Sequence, residues 1–194
     1  MQRLKAPERR TQLMKVASEL FAARGFDATT TAAIAAAAGV SEPILYRHFR
    51  SKQEMFAAIV TEVSQTTQAA WNQQSAGAGD AAEQFRTLAL EWPKHLAVCS
   101  APYRVIHNAM ISNRDPAVVA TLRRHYDAMH AYFVELIQRG QVSGVFRKDL
   151  DVPATSWWLL ERGIGYTLIT LSMGPGAGAD NAKSIDLILD AISA

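Results

Sequence analysis

The chain of 194 residues is 49% hydrophobic and 20% charged, with eleven Gly, seven Pro and a lone cysteine, Cys99. Such a balance belongs to a globular fold and excludes collagen, low-complexity and disulfide-scaffold chains, and one thiol can supply neither an intrachain disulfide nor a cysteine-based zinc or iron–sulfur site. The net charge of +2 conceals nine Lys/Arg against four Asp/Glu in residues 1–52 and eleven against fourteen in the rest, so a polyanion contact is expected at the N-terminal end alone.

Only helical periodicity runs along the chain. Leu13, Val16, Ala17, Leu20 and Phe21 fall on one stripe of a helix from Glu8 to Arg24, which Gly25 ends. Thr30 caps a short helix over Thr31–Ala38, Gly39 stops it, and Ser41 caps the next, Glu42–Phe49. Because Pro43 lacks an N–H, the Ser41 side chain is expected on the N–H of Ile44. Ser51-Lys52-Gln53-Glu54 is a capping box that opens a longer helix with Phe56, Ile59, Val60 and Val63 inward. Residues 75–79 (SAGAG) mark a break, and Asp80-Ala81-Ala82-Glu83 opens a helix carrying Phe85, Leu88, Ala89, Trp92 and Leu96. Pro93 is expected to kink or end it. A helix follows over Pro102–Ser112. Asp115-Pro116 then launches a long one with Val119, Leu122, Tyr126, Met129, Phe133 and Leu136 on one face, its end loosened by Gly140 and Gly144. Asp151-Val152-Pro153 opens another to about Ser172, GPGAGA forms a loop, and Asn181–Ile192 is the last helix. The predicted fold is all-α.

The first ten residues carry basic side chains with no apolar run behind them, so no signal peptide reads. The longest uncharged apolar-leaning stretch, 163–179, is broken by Gly174, Pro175 and Gly176 and is too short for a membrane span. A soluble cytoplasmic protein with no membrane contact is expected.

The informative region is Thr29 to Lys52. Two short helices meet at Ala38-Gly39-Val40, the geometry of a helix-turn-helix, whose second helix can enter the DNA major groove. Leu45 and Phe49, four apart, can anchor that helix, leaving Glu42, Pro43, Tyr46 and Arg47 on its outer face. The Pro43 ring suits contact with a thymine methyl. Arg47, His48, Arg50 and Lys52 supply positive charge nearby.

These residues resemble a family. Phe21-Ala22-Ala23-Arg24-Gly25-Phe26-Asp27-Ala28-Thr29-Thr30, then Ile34-Ala35, Ala38-Gly39-Val40-Ser41 and Leu45-Tyr46-Arg47-His48-Phe49-Arg50-Ser51-Lys52 resemble the N-terminal signature of TetR-type transcriptional regulators. The resemblance implies a helix-turn-helix DNA-binding domain over residues 1–52, a connecting helix to about 74, and a larger helical ligand-binding and dimerisation domain over 80–194. It places Thr30 and Thr31 at phosphates or the groove edge, and Ser41, Glu42, Pro43 and Ile44 at the base-reading start of the recognition helix. Tyr46 and His48 then reach the DNA backbone and Lys52 a phosphate. Two departures stand out. Ala33 replaces a customary acidic or polar residue and removes a local tie. Glu42 stands where a basic or neutral residue is frequent; an acid repels phosphates but accepts from cytosine N4.

The expected partners are a palindromic double-stranded DNA operator, a second copy of the chain, and a mostly apolar small-molecule effector that releases the repressor. Tyr103, His107, Met110, Met129, Phe133 and Trp158 form the expected lining of the effector cavity, since aromatics and Met with a few polar tips suit such pockets. The helix Pro153–Ser172 is apolar almost all round, and Gly163 and Gly165 in its interior suggest close helix approach. With Ile185, Ile188, Leu189 and Ile192 of the last helix, it is expected to form a four-helix bundle between two copies.

No catalytic group, cofactor or metal is expected. His48, His95, His107, His125 and His130 contain no HExxH and no pair four apart, Cys99 reads as a small apolar group, and Gly174–Gly178 lacks a P-loop lysine. The competing reading is an all-α enzyme or small-molecule carrier whose helix-turn-helix is incidental; salt-sensitive retention on DNA or heparin separates the two.

Overall fold

The computed structural model describes residues 5–75, 77, 79–178 and 180–194, and of Ser75 only the backbone. The start of the basic N-terminal arm (Met1–Leu4), Ala76 and Ala78 of the expected break, and Ala179 of the GPGAGA loop lie outside the described residues. Within them the chain forms nine helices: α1 (Ala6–Arg24), α2 (Thr31–Ala37), α3 (Glu42–Tyr46), α4 (Lys52–Ser75), α5 (Ala81–Val98), α6 (Ser100–Ser112), α7 (Pro116–Ser143), α8 (Val152–Met173) and α9 (Asn181–Ile192). The fold is all-α; a single antiparallel bridge joins Phe146 to Ser193. None of the described helices is long and apolar enough to cross a membrane.

The chain divides into two compact units, Met1–Val63 with Cys99–His125, and Ser64–Val98 with Tyr126–Ala194. The first holds α1 to α3, the front of α4, α6 and the start of α7. The segment predicted as a DNA-binding domain, 1–52, therefore shares its unit with helices predicted for the domain 80–194. The cause is packing: α6 lies against α1, and Tyr103, Val105, Ile106, His107 and Ala109 of α6 are buried. Leu13, Ala17 and Phe21 of α1, Ile34 and Ala35 of α2, Leu45 of α3 and Phe56, Ile59 and Val60 of α4 are all buried in this unit. The Phe26 ring stands 5.3 Å from Phe21 and 5.5 Å, edge-on, from Phe56. On α7 the buried row starts at Val118, not at the expected Val119, which is exposed. It continues through Thr121, Leu122 and His125, so two polar residues hold core positions that a hydropathy stripe steps over.

The second unit has its own core of Trp71, Phe85, Leu88, Met129, Phe133, Leu136, Ile137, Phe146, Leu159 and Leu160, closed by Ile185, Ile188, Leu189 and Ile192. Those last four form the stripe of α9 that was expected to face a second copy; the monomer's own core consumes it. Pro93 does not end α5, which continues to Val98. A proline there frees the carbonyl four residues earlier, that of Ala89, and Asn181 Nδ2 donates to that oxygen at 3.0 Å. Gly140 does not loosen α7, which continues to Ser143. The Phe146 ring occupies the space a Cβ at Gly140 would need, so the glycine admits an aromatic side chain to the core.

Candidate nucleic-acid interface

The turn between α2 and α3 is built from backbone chemistry. Thr30 Oγ1 accepts from the N–H of Ala33 at 3.1 Å and caps α2 as expected. At the other end Gly39 donates to Ala36 O at 3.0 Å and Val40 to Ala35 O at 2.9 Å. Gly39 has φ +67°, a left-handed conformation that costs an L side chain roughly 1–2 kcal/mol, and this reversal aims α3 away from α2.

Ser41 does not cap α3 with its side chain. Its carbonyl takes the N–H of Ile44 at 2.9 Å and that of Leu45 at 3.2 Å, so a backbone turn does the work expected of the hydroxyl. The helix proper ends at Tyr46, short of the expected Phe49, because its last turn tightens. Arg47 N–H donates to Ile44 O at 3.2 Å and His48 N–H to Leu45 O at 2.9 Å. Leu45 and Phe49 are 0% and 1% exposed and anchor the motif as the spacing predicted, each burial being worth about 1.5–3 kcal/mol. The outer face carries exposed Ser41, Pro43, Ile44, Tyr46 and Arg47, with Glu42 and His48 half-buried.

Four polar side chains hold this face. Thr31 Oγ1 donates to Glu42 Oε1 at 2.7 Å and lies 3.2 Å from the Tyr46 hydroxyl, tying α2 to both ends of α3. Lys52 Nζ donates to the carbonyls of Phe26 at 2.8 Å and Asp27 at 3.3 Å, and sits 4.4 Å from the Phe26 ring centroid. Its ammonium is thus engaged with the chain itself. Arg10, which sequence reasoning missed, donates from Nη1 to His48 O at 2.6 Å with its guanidinium 4.0 Å over the Phe49 ring. Gln12 Nε2 reaches Ala38 O at 3.3 Å. No local spacing signals these bonds, since the partners lie 38 and 26 residues apart. Farther along the same unit, Gln53 Nε2 donates to Asp115 Oδ2 at 2.8 Å. That bond, followed by the Ala117 and Val118 N–H groups, holds the Asp115 carboxyl below its usual range.

The residues expected to line an effector cavity fall in both units. Tyr103, His107 and Met110 belong to the first, where the first two are buried and Met110 is exposed. Met129, Phe133 and Trp158 belong to the second, where Met129 and Phe133 are in its core and Trp158 is 45% exposed. His107 and His125 are both buried in the first unit. Burial lowers the pKa of His107, and burial with the added effect of His107 lowers that of His125 to about 4. Cys99 is half-buried, and burial followed by the charge of Glu62 pushes its thiol up, the opposite of what a reactive thiolate needs. No described group of three His, Cys, Asp or Glu side chains forms a candidate metal centre. Within the second unit a cleft of about 600 Å³ lies between α8 and the start of α9, lined by Arg162, Tyr166, Thr170, Asn181 and Ser184.

A helix-turn-helix with an exposed, basic-flanked second helix defines a DNA-binding regulator. Residues 13–59 match the family model described as "Bacterial regulatory proteins, tetR family". The chain is 50% identical over 58 residues to the HTH-type transcriptional activator FasR of Mycolicibacterium smegmatis, covering 30% of this chain and 26% of FasR. It is 29% identical over 150 residues to the HTH-type transcriptional repressor KstR2 of Rhodococcus jostii, covering 74% of this chain and 71% of that protein. The structure of the ketosteroid transcriptional regulator KstR2 of Mycobacterium tuberculosis superposes with a TM-score of 0.71 at 22% identity, over 96% of this chain and 95% of the other. Over residues 13–59 the chain is thus similar to the DNA-binding segment of TetR-family transcriptional regulators, which supports a DNA-binding regulator.

Proposed function

We propose that the protein represses transcription as a homodimer on a pseudo-palindromic operator and leaves it when a mostly apolar small molecule binds. The observation that carries this reading is the outer face of α3: Pro43, Ile44, Tyr46 and Arg47 are exposed on a helix held from behind by buried Leu45 and Phe49. Ser41, Glu42, Pro43 and Ile44 read bases at the helix start, as recognition helices do. Thr30, Thr31, Tyr46, Arg47 and His48 meet the DNA backbone. Lys52, bound to the Phe26 and Asp27 carbonyls, sets the turn before α2 and offers its remaining donor to a phosphate.

The domain over 80–194 supplies the effector site and the dimer contact. Tyr103, His107 and Met110 of the first unit, and Met129, Phe133 and Trp158 of the second, remain proposed effector contacts, each set taken within its own unit. An apolar effector agrees with the ketosteroid regulator among the relatives, and repression agrees with KstR2, although FasR is an activator. The dimer forms on α8, where the apolar side chains of Trp157, Trp158, Leu168, Ile169 and Met173 remain exposed, as interface residues do. Release requires the effector to favour a dimer whose recognition helices are wrongly spaced.

Selection of bound sites from duplex DNA with a randomised centre tests the reading. Two inverted half-sites about one helical turn apart are expected; a single unpaired half-site, or no enrichment at low salt, contradicts it.

A further inference from the structure

We propose that Glu42 is a latch that makes phosphate clamping conditional on the base it meets, holding the protons of Thr31 and Tyr46 until a base amino group engages its carboxylate. This rests on the DNA-binding reading above and adds how the site discriminates between sequences.

The proton count gives the latch its direction. Thr31 Oγ1 donates to Glu42 Oε1 at 2.7 Å and stands 3.2 Å from the Tyr46 hydroxyl. A hydroxyl has one proton and a carboxylate only accepts. Thr31 therefore spends its proton on Glu42, and the phenol of Tyr46 must supply the proton of the second bond. The relay runs one way, from Tyr46 through Thr31 to Glu42, with every donor committed.

Each member stands where the commitment matters. Thr31 opens α2 and Tyr46 closes α3, and Ser, Thr and Tyr hydroxyls are ordinary donors to DNA phosphates. While the relay is closed neither can donate to one. Glu42 is the first residue of α3, the end of a recognition helix that meets base edges. In the groove its charge is repelled by the phosphates, and the partner that relieves this is an amino donor such as cytosine N4. Where that donor is present it competes with Thr31 for the carboxylate; once Glu42 swings to the base, the Thr31 proton is released for a phosphate, and the Tyr46 proton follows when Thr31 turns. Where it is absent, Glu42 stays on Thr31 and the phosphates lose two donors. Base reading and backbone grip then succeed or fail together. The bonds are suited to opening, since Thr31 and Glu42 are only half-buried and Tyr46 is 49% exposed.

The test measures affinity of the full-length protein for two labelled duplexes, a random-sequence pool and the sequence enriched by selection. Glu42→Ala is expected to bind the random pool about tenfold more tightly while losing preference at one base pair of each half-site. Tyr46→Phe is expected to weaken random-pool binding several-fold more in the Glu42→Ala background, where the phenol proton is available, than in the wild-type background. Thr31→Val, which breaks the relay at its centre, should likewise make random-pool binding sensitive to Tyr46→Phe. Equal effects of Tyr46→Phe in all three backgrounds, or Glu42→Ala weakening both duplexes alike, overturns the latch. A wild type that binds neither duplex at low salt overturns the DNA-binding reading and the latch with it.

Discussion

His125 is a polar residue at a core position, 4% exposed on a row that runs Val118, Leu122, His125. Its pKa is lowered from 6.5 to about 4, so the folded protein keeps it neutral while the unfolded chain binds a proton near pH 6.5. Between those values the unfolded state holds more protons, and stability falls as pH falls. The effect is absent above about pH 6.5 and complete below about pH 4, reaching on the order of 3 kcal/mol. His107, lowered by burial as well, adds to it in the same direction. Urea titrations between pH 7 and pH 4 should show the midpoint dropping, with a shallower drop for His125→Gln. An unchanged pH dependence in that variant would mean that other groups carry the acid sensitivity. The same row shows what sequence hides at this scale: apolar spacing selects Val119, and only packing reveals that Thr121 and His125 face inward.

Among the elements, α5 and α7 each contain a residue that local rules read as a breaker, and each runs on through it. At Pro93 the compensation comes from Asn181, whose amide takes the freed Ala89 carbonyl while its Oδ1 accepts from Arg162 Nη2 at 2.6 Å. Asn181→Ala should cost about 1–3 kcal/mol by orphaning that carbonyl. Pro93→Ala restores the missing N–H, so the cost of Asn181→Ala should shrink in that background; equal cost in both, by chemical denaturation, would show that the carbonyl bond is not the reason. At Gly140 the Phe146 ring fills the Cβ position, and Gly140→Ala should lower stability by about 1–3 kcal/mol through overpacking. Helix order and the motif at Gly39 were legible because caps, glycines and short-range periodicity are local. The compensations were not, because Ala89 and Asn181 lie 92 residues apart. The same holds at the interface: the outer face of α3 reads from spacing, but Arg10 beneath it and the Thr31–Glu42 tie emerge only when the chain folds back.

For the molecule as a whole, the proposed dimer would set how two recognition helices are presented. The final helix contributes less than its stripe suggested, since Ile185, Ile188, Leu189 and Ile192 are buried within the chain. What remains is the exposed row of α8, where nothing in the described chain lies within 4 Å of a Cβ built at Gly165. With the Cβ position open, Gly165→Trp should act on the assembly: sedimentation at micromolar concentration should show monomer where the wild type is expected to be a dimer, with helicity retained. A dimer of undiminished stability in that variant would move the interface off α8.

The central claim is that the α3 face of a basic N-terminal unit grips DNA phosphates, and a salt titration of affinity for duplex DNA tests it most directly. The logarithm of the binding constant should fall linearly with the logarithm of salt concentration, and Arg47→Ala should weaken binding to all sequences alike while flattening the slope by about one unit. Binding that is insensitive to salt, or a slope that Arg47→Ala leaves untouched, would contradict it.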